Sequence, residues 1–312
     1  MLAAVPAFGM ATGDITAVET GDCTDLYCID TGMYDTPQYG SVYLVDDDQP
    51  ALVDTGIGTN HRAILRAIER VGVDREDLAV IAPTHVHLDH AGGAGFLADA
   101  CPNAEVYVHE FGAPHLADPT RLITGTRRAV GAQWQFYREP RPVPEDRLVE
   151  LTDGDSIDLG THELRAHHAP GHAPHQVVFE DPANEAVFTA DAAGVYVPSL
   201  DVVRETTPPS NFDLEQALSD VETIRDIDPT TLLYGHFGAA PTADRLDAYA
   251  ERLEAWVGAV EAAREDLGED SAVVEHFVDE RAPEVRDAWG GFKADAETKL
   301  NVRGVLGYLD SV

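Results

Sequence analysis

From Ile15 to Val53, apolar and β-branched residues come in short runs: Ile15–Val18, Leu26–Asp30, Ser41–Val45 and Ala51–Val53. Runs this short, bounded by turn residues, predict strands of one sheet joined by hairpins. The period then lengthens. Ile64, Leu65, Ile68 and Val71 fall on one face of a helix that Thr59 is placed to cap. Leu78–Ala82 reads as a buried strand, Ala91–Ala100 as a helix and Glu105–His109 as another strand. From Glu110 to Arg147 no clean core face persists. This stretch carries Trp134, Phe136 and Tyr137 beside Arg127, Arg128 and Arg138, and ends rich in proline. It reads either as an insertion over a substrate mouth or as a packed pair of surface helices.

The β pattern restarts at Leu148–Leu151, Ser156–Leu159, Glu163–His168, Gln176–Glu180 and Ala186–Thr189, giving a second sheet. Asp213 is placed to cap a helix whose inner face is Leu214, Ala217, Leu218, Val221 and Ile224, and Thr231–Tyr234 reads as the last strand. Leu246, Tyr249, Leu253, Trp256 and Val260 then step by three and four, with Leu267 seven further on. That spacing marks an amphipathic helix. Two halves of strands then helix predict an α/β fold of two sheets flanked by helices. We expect residues 1–240 to form that domain and residues 241–312 a helical extension packed on it.

Composition changes this picture in one respect. The chain has 312 residues, 56 acidic against 21 basic, for a net charge of −35, and only Lys293 and Lys299 are lysines. The acidity is spread along the chain, which points to a whole surface adapted to salt and hence to a high-salt cytoplasm. No basic run suggests a nucleic-acid groove, and no stretch is long enough for a membrane span. Cys23, Cys28 and Cys101 are odd in number and show no CxxC spacing, so free thiols in a reducing compartment are expected. Met1–Thr12 lacks a basic start and reads as a terminus or first strand, not a signal peptide.

The chemistry gathers at Pro83-Thr84-His85-Val86-His87-Leu88-Asp89-His90-Ala91-Gly92-Gly93, on the turn from strand to helix. On an extended segment His85 and His87 point the same way, while Asp89 and His90 diverge as the chain curls. One turn can thus feed two adjacent metal positions. Three more strand ends carry ligand-type residues, at Pro170-Gly171-His172, Thr189-Ala190-Asp191 and Tyr234-Gly235-His236. Asp54, closing the strand Ala51–Val53, is placed as a carboxylate that orients the histidine turn. With only N and O donors, Zn is the first choice, and Fe and Mn stay open.

His85-x-His87-x-Asp89-His90 followed by His172, Asp191 and His236, with Asp54-Thr55-Gly56 upstream, resembles the metallo-β-lactamase fold superfamily over roughly residues 15–240. Within it, Thr84-His85-x-His87-x-Asp89-His90-x-Gly92-Gly93 and Pro170-Gly171-His172 look most like the glyoxalase II-like branch. The resemblance implies an αββα four-layer sandwich and a centre of two divalent ions. His85, His87 and His172 would hold the first ion, Asp89, His90 and His236 the second, and Asp191 would bridge them. It also implies a hydrolase of a small thioester, ester or lactone acting through a metal-bridging hydroxide, with Asp89 handling the proton. Tyr196 is the candidate donor to the oxyanion or leaving group. The branch's glutathione-binding basic and Tyr positions find no match in residues 241–312. Three alternatives stay open: an RNA nuclease of the superfamily, a persulfide dioxygenase-like enzyme with one iron, and a metal-binding protein without turnover. The expected partner is a small-molecule substrate, and the helical tail can either cap the pocket or form a homodimer face.

Overall fold

The computed structural model describes residues 12–312. Residues 1–11, which hold most of the segment read as a terminus or first strand, lie outside the described residues. The first sheet has seven strands in chain order: β1 (Ile15–Ala17), β2 (Leu26–Asp30), β3 (Ser41–Val45), β4 (Ala51–Val53), β5 (Val80–Ala82), β6 (Glu105–His109) and β7 (Leu148–Leu151). β1 to β4 form an antiparallel meander, and β4 to β7 run parallel. A parallel neighbour is reached only by a crossover. Helices α1 (His61–Arg70) and α2 (Ala94–Ala100) make two of these. The segment with no clean core face is the third, carrying α3 (Ala113–Ala117) and α4 (Thr120–Val130).

The second sheet is built from β8 (Ser156–Asp158), β9 (Glu163–His168), β10 (Val177–Asp181) and β11 (Ala186–Ala190). A separate hairpin, β12 (Val195–Val197) and β13 (Val202–Arg204), follows. Helix α5 (Leu214–Ile227) then crosses to β14 (Thr231–Tyr234), which lies parallel to β11, and β15 (Gly238–Pro241) closes that edge. The strand order is β15-β14-β11-β10-β9-β8. The sequence reading ended at β14. β15 reads Gly-Ala-Ala-Pro, with no β-branched residue to mark it, and it forms because β14 offers a free edge. Helices α6 (Arg245–Leu267), α7 (Asp270–Arg281) and α8 (Arg286–Leu309) complete the chain as a helical extension.

Strand alternation sorts the side chains into layers. Val80 and Ala82 join Phe179, Phe188 and Leu233 between the sheets, while Ile81 turns outward to Ile64, Ile68 and Leu97 of α1 and α2. On the other side Leu232 and Tyr234 face Val221, Ile224, Leu253 and Trp256. The result is the expected αββα sandwich. Two local expectations differ. Asp213 does cap α5, accepting from the Gln216 N–H at 2.9 Å, but the Thr59 hydroxyl donates to the carbonyl of Phe136, and α1 starts at His61, after Asn60, with no side-chain cap. Leu267, out of step with the rest of its helix face, is exposed. All three cysteines are free thiols, with Cys28 and Cys101 buried. Among the described residues no helix is long and apolar enough to cross a membrane.

Candidate metal centre

Every predicted ligand, like the orienting Asp54, comes after the end of a strand. Asp54 follows β4, His85 to His90 follow β5, His172 follows β9, Asp191 follows β11 and His236 follows β14. Carboxyl ends of parallel strands are where an open α/β sheet leaves a crevice. Two glycines make the close approach feasible. A Cβ on Gly171 would lie 2.2 Å from the Ala217 backbone nitrogen, and one on Gly93 would lie 2.3 Å from the Thr55 carbonyl oxygen. The Gly171 N–H also donates to Asp220 Oδ2 at 2.6 Å, which pins the loop before His172 to α5.

The side chains converge. His87 Nδ1 lies 3.1 Å from His85 Nε2 and 2.9 Å from His172 Nε2. His90 Nε2 and His236 Nε2 are 3.1 Å apart, with Asp89 Oδ2 3.9 Å from the latter. Asp191 stands between the two groups: its Oδ2 is 3.1 Å from His172 Nε2, and its Oδ1 is 3.5 Å from His90 Nε2 and 3.6 Å from His236 Nε2. Donors on a tetrahedral ion with bonds near 2.0 Å stand about 3.3 Å apart, so these spacings match the edges of such a shell. Asp191 Oδ1 is also buried without a hydrogen-bond partner, which is costly for a carboxylate unless a cation meets it. The residues therefore fit metal ions, and the donor trios His85/His87/His172 and Asp89/His90/His236 each close within ligand reach.

A second ring of bonds aims the imidazoles. Asp54, in the left-handed region at φ 64°, accepts from the Thr84 N–H (2.8 Å), the Thr84 hydroxyl (2.9 Å) and His90 Nδ1 (2.8 Å). With its proton spent on Asp54, Thr84 Oγ1 can accept from His85 Nδ1 at 3.2 Å. His236 Nδ1 donates to the Tyr39 carbonyl at 3.1 Å. In each of these three rings the outward nitrogen carries the proton and Nε2 keeps its lone pair for the centre. Burial holds His87 down to about 4, and burial with neighbouring imidazoles holds His85 and His172 well below the ordinary histidine value. Neutral imidazole is the ligating form. Burial opposes charge on His90 too, but Asp54, Asp191 and Asp89 outweigh it and lift the ring to about 10. The carboxylates around His90 thus favour positive charge in this pocket.

The family model described as the metallo-beta-lactamase superfamily matches residues 35–236, from the turn after β2 to the last of these histidines. The chain belongs to this superfamily. A metallo-beta-lactamase fold-containing protein of Sulfurisphaera tokodaii, ST1585, is 25% identical over 222 residues, 69% of this chain and 79% of its own length. The crystal structure of ST1585 aligns with a TM-score of 0.69 at 22% identity, over 91% of this chain and 99% of that one, a likeness of fold. The acyl-coenzyme A thioesterase MBLAC2 of Bos taurus is 29% identical over 192 residues, 56% of this chain and 65% of the enzyme's length.

Beside this His/Asp cluster lies a cavity of about 660 Å³. Both uncertain segments line it: α4 through Arg121, Leu122 and Arg128, and α8 through Glu297, Leu300 and Arg303. The open inner face of α4 explains why it buries no residue fully and why its sequence showed no core stripe. Of the aromatic and arginine residues expected to meet substrate there, Tyr137 and Arg128 line the cavity. Trp134 instead stacks on Tyr137 at 5.3 Å beneath Arg127, Phe136 packs on Tyr34 at 6.0 Å, and Arg138 lies 4.5 Å over Phe96.

Tyr196 is not brought to the site. Val195 and Val197 of β12 turn into the core, so Tyr196 faces the other way, stacked 5.4 Å from Tyr234 with its hydroxyl on Asp201 at 3.0 Å. The tyrosines that line the cavity are Tyr34, Tyr39 and Tyr137, with the Tyr34 and Tyr137 hydroxyls 2.5 Å apart. Tyr137 was among the residues expected there; sequence reasoning missed Tyr34 and Tyr39 because they sit in a polar turn. Also missed was Lys293, buried with Nζ 2.7 Å from Glu297 and 3.8 Å above the Tyr34 ring. Its rarity was the available signal: one of two lysines, four residues before a glutamate. His175 comes close, with Nδ1 accepting weakly from the Val86 N–H at 3.4 Å and its ring stacked 6.1 Å from His85.

Proposed function

We propose that this chain is a hydrolase of small thioesters, esters or lactones, similar to the glyoxalase II-like branch, that works with two divalent ions, zinc by first choice. The observation that carries it is Asp191, whose two oxygens are divided between two sets of imidazoles, with Oδ1 free of any hydrogen bond. That division supports two ions rather than the single iron of a dioxygenase. His85, His87 and His172 would hold one, Asp89, His90 and His236 the other, with Asp191 shared. Bound there, the ions would supply Lewis acidity toward a carbonyl and an activated water. Among the chain's own groups, Asp89 lies at the cavity floor and His90, His236 and His87 outweigh its burial to hold it ionised, so it can accept a proton. Tyr34 and Tyr137 stay protonated because burial raises both, and they present hydroxyls to a developing oxyanion or departing thiolate. The relationship to a thioesterase favours the thioester among the three substrate types. The acidic surface adds a second part to the proposal: a cytoplasmic protein of a high-salt cell, acting on a small molecule with no nucleic acid or membrane partner.

The test is turnover of a panel of acyl thioesters, aryl esters and homoserine lactones, with and without a chelator, alongside metal quantification. Chelator-sensitive hydrolysis with about two ions per chain is expected. No chelator-sensitive turnover of any panel member would overturn the proposal.

A further inference from the structure

We infer that His175 is a catalytic hydrogen-bond donor: its Nε2–H meets the carbonyl oxygen of the bound substrate on the His87 side of the centre and stabilises the oxyanion that forms there. This rests on the hydrolase reading of the same site and adds a residue to its machinery.

His175 lies in the loop from β9 to β10, past His172, and that loop is clamped. The Ala169 N–H donates to the Gln176 carbonyl at 3.0 Å, and the Gln176 side-chain amide donates back to the Ala169 carbonyl at 3.0 Å. The Val177 N–H donates to the Thr84 carbonyl at 2.9 Å, which joins the loop to the histidine turn. The ring of His175 meets His87 edge-on at 5.6 Å and His115 of α3 edge-on at 6.3 Å. Its Nδ1 accepts the Val86 N–H, so Nδ1 bears no hydrogen and Nε2, across the ring, carries the proton of a neutral imidazole. Among the described residues Nε2 has no hydrogen-bond partner, nor is it sealed in the protein, since the ring lines the cavity. A free N–H donor therefore opens on the space where substrate binds. Neutral imidazole suits a developing oxyanion, because the bond strengthens as charge builds and the proton stays on nitrogen. The side it stands on suits as well. His85, His87 and His172 are uncharged donors, whereas the other trio includes Asp89, so negative charge is better tolerated beside His175. Tyr34 and Tyr137 feel the charge of Asp89 and are left to the leaving group. As a water oxygen bonds to the acyl carbon, its proton passes to Asp89 and the carbonyl π pair moves onto oxygen, which accepts from His175. When that pair returns, the carbon–sulfur bond breaks, and the departing thiolate takes the proton back from Asp89.

Two variants of the full chain separate a donor from a wall. His175→Gln keeps an N–H donor near the place of Nε2, and His175→Phe keeps a flat ring without the donor. Thioester turnover is compared at equal metal content, measured on the same samples. His175→Phe should lower kcat by about a hundredfold with KM changed by no more than about twofold, the loss of one oxyanion donor. His175→Gln should retain at least about tenfold more activity than His175→Phe. A ring that only shapes the wall gives the opposite ranking, with His175→Phe above His175→Gln. That ranking, or equal loss in both, overturns the inference while wild-type hydrolysis upholds the reading beneath it. Absence of any wild-type turnover overturns both. A second measurement needs no turnover: in proton–nitrogen correlation spectra of protein isotope-labelled at histidine, the ring signals that vanish in His175→Gln should report hydrogen on Nε2 and none on Nδ1. Hydrogen on Nδ1 would overturn the donor assignment even in an active hydrolase.

Discussion

At the scale of single residues, Asp54 shows how one carboxylate can set several ligands. It holds His90 directly and His85 through Thr84, and neither ring has another partner for its outward nitrogen. Asp54→Ala should leave the fold in place, since the side chain does not contribute to a hydrophobic layer. It should weaken metal binding by about 10- to 100-fold, as loss of a partner behind a ligand does elsewhere. Competition against a chromophoric chelator reads this, and unchanged affinity would show that the imidazoles are aimed by packing alone. The tyrosines give a second contrast. Tyr34→Phe should lower kcat by about a hundredfold if its hydroxyl serves the reacting oxygen or sulfur. Tyr196→Phe, which removes only a surface bond to Asp201, should stay near wild type. The reverse ranking would restore Tyr196 to the site.

At the scale of elements, two contacts position the machinery. The first joins α5 to the loop before His172 through Asp220, buried and pushed up to about 6 by desolvation despite the bond from Gly171. Its folded value lies above the ordinary carboxylate value of 3.8, so its contribution to stability is complete below about pH 4 and lost as pH rises through 6. Asp220→Asn keeps an acceptor for Gly171 without the charge. Relative to wild type it should gain stability as pH climbs from 4 to 7, by about 2–3 kcal/mol at the top. Denaturation at several pH values checks this, and a gap that does not widen with pH would refute it. The second contact is Lys293 with Glu297, both buried, which ties α8 to Tyr34, Tyr39 and Gln133. Lys293→Met should cost about 3–5 kcal/mol because it strands a buried carboxylate, and Lys293→Met/Glu297→Leu should recover most of it. A double variant as unstable as the single one would mean the pair is not the cause.

These contacts also mark how far the sequence reaches. The histidine turn was legible because four ligand-type residues fall within one local stretch, and His172, Asp191 and His236 because each ends a strand with a clear apolar pattern. Both sheets, short of β15, followed from short apolar and alternating runs, and the α1 and α5 crossovers from a period near four, whereas the α3–α4 crossover showed no such period. Tyr196 was misplaced because proximity in sequence to Asp191 says nothing about which face of β12 a side chain takes. Lys293, Glu297 and Arg303 were invisible as site residues for a different reason. Glu297 and Arg303 reach the cavity, with Lys293 bonded to Glu297, only because α8 folds back across α4 after some 160 intervening residues, and no periodicity encodes that return.

At the scale of the whole molecule, charge is the dominant fact. A net −35 is spread over a surface where most arginines already have acidic partners, so the excess carboxylates face one another across water. At 0.1 M salt the screening length is about 10 Å, long enough for neighbouring carboxylates to repel, and at 1 M it is about 3 Å, shorter than most of their separations. The unfolded chain relieves that repulsion by expanding, so dilute buffer favours it and salt favours the fold. The melting temperature should therefore climb as KCl rises from 0.1 to 3 M, by roughly 10 °C if several kcal/mol of repulsion is screened. The pocket interior behaves differently. His85, His90, His172, Asp54 and Asp191 are buried, and buried charges are screened far less, so metal affinity should change little over the same range. Following chelator competition and thermal melting in one KCl series separates the two effects. A protein that melts higher in dilute buffer than in molar KCl would show that its acidity is no adaptation to salt.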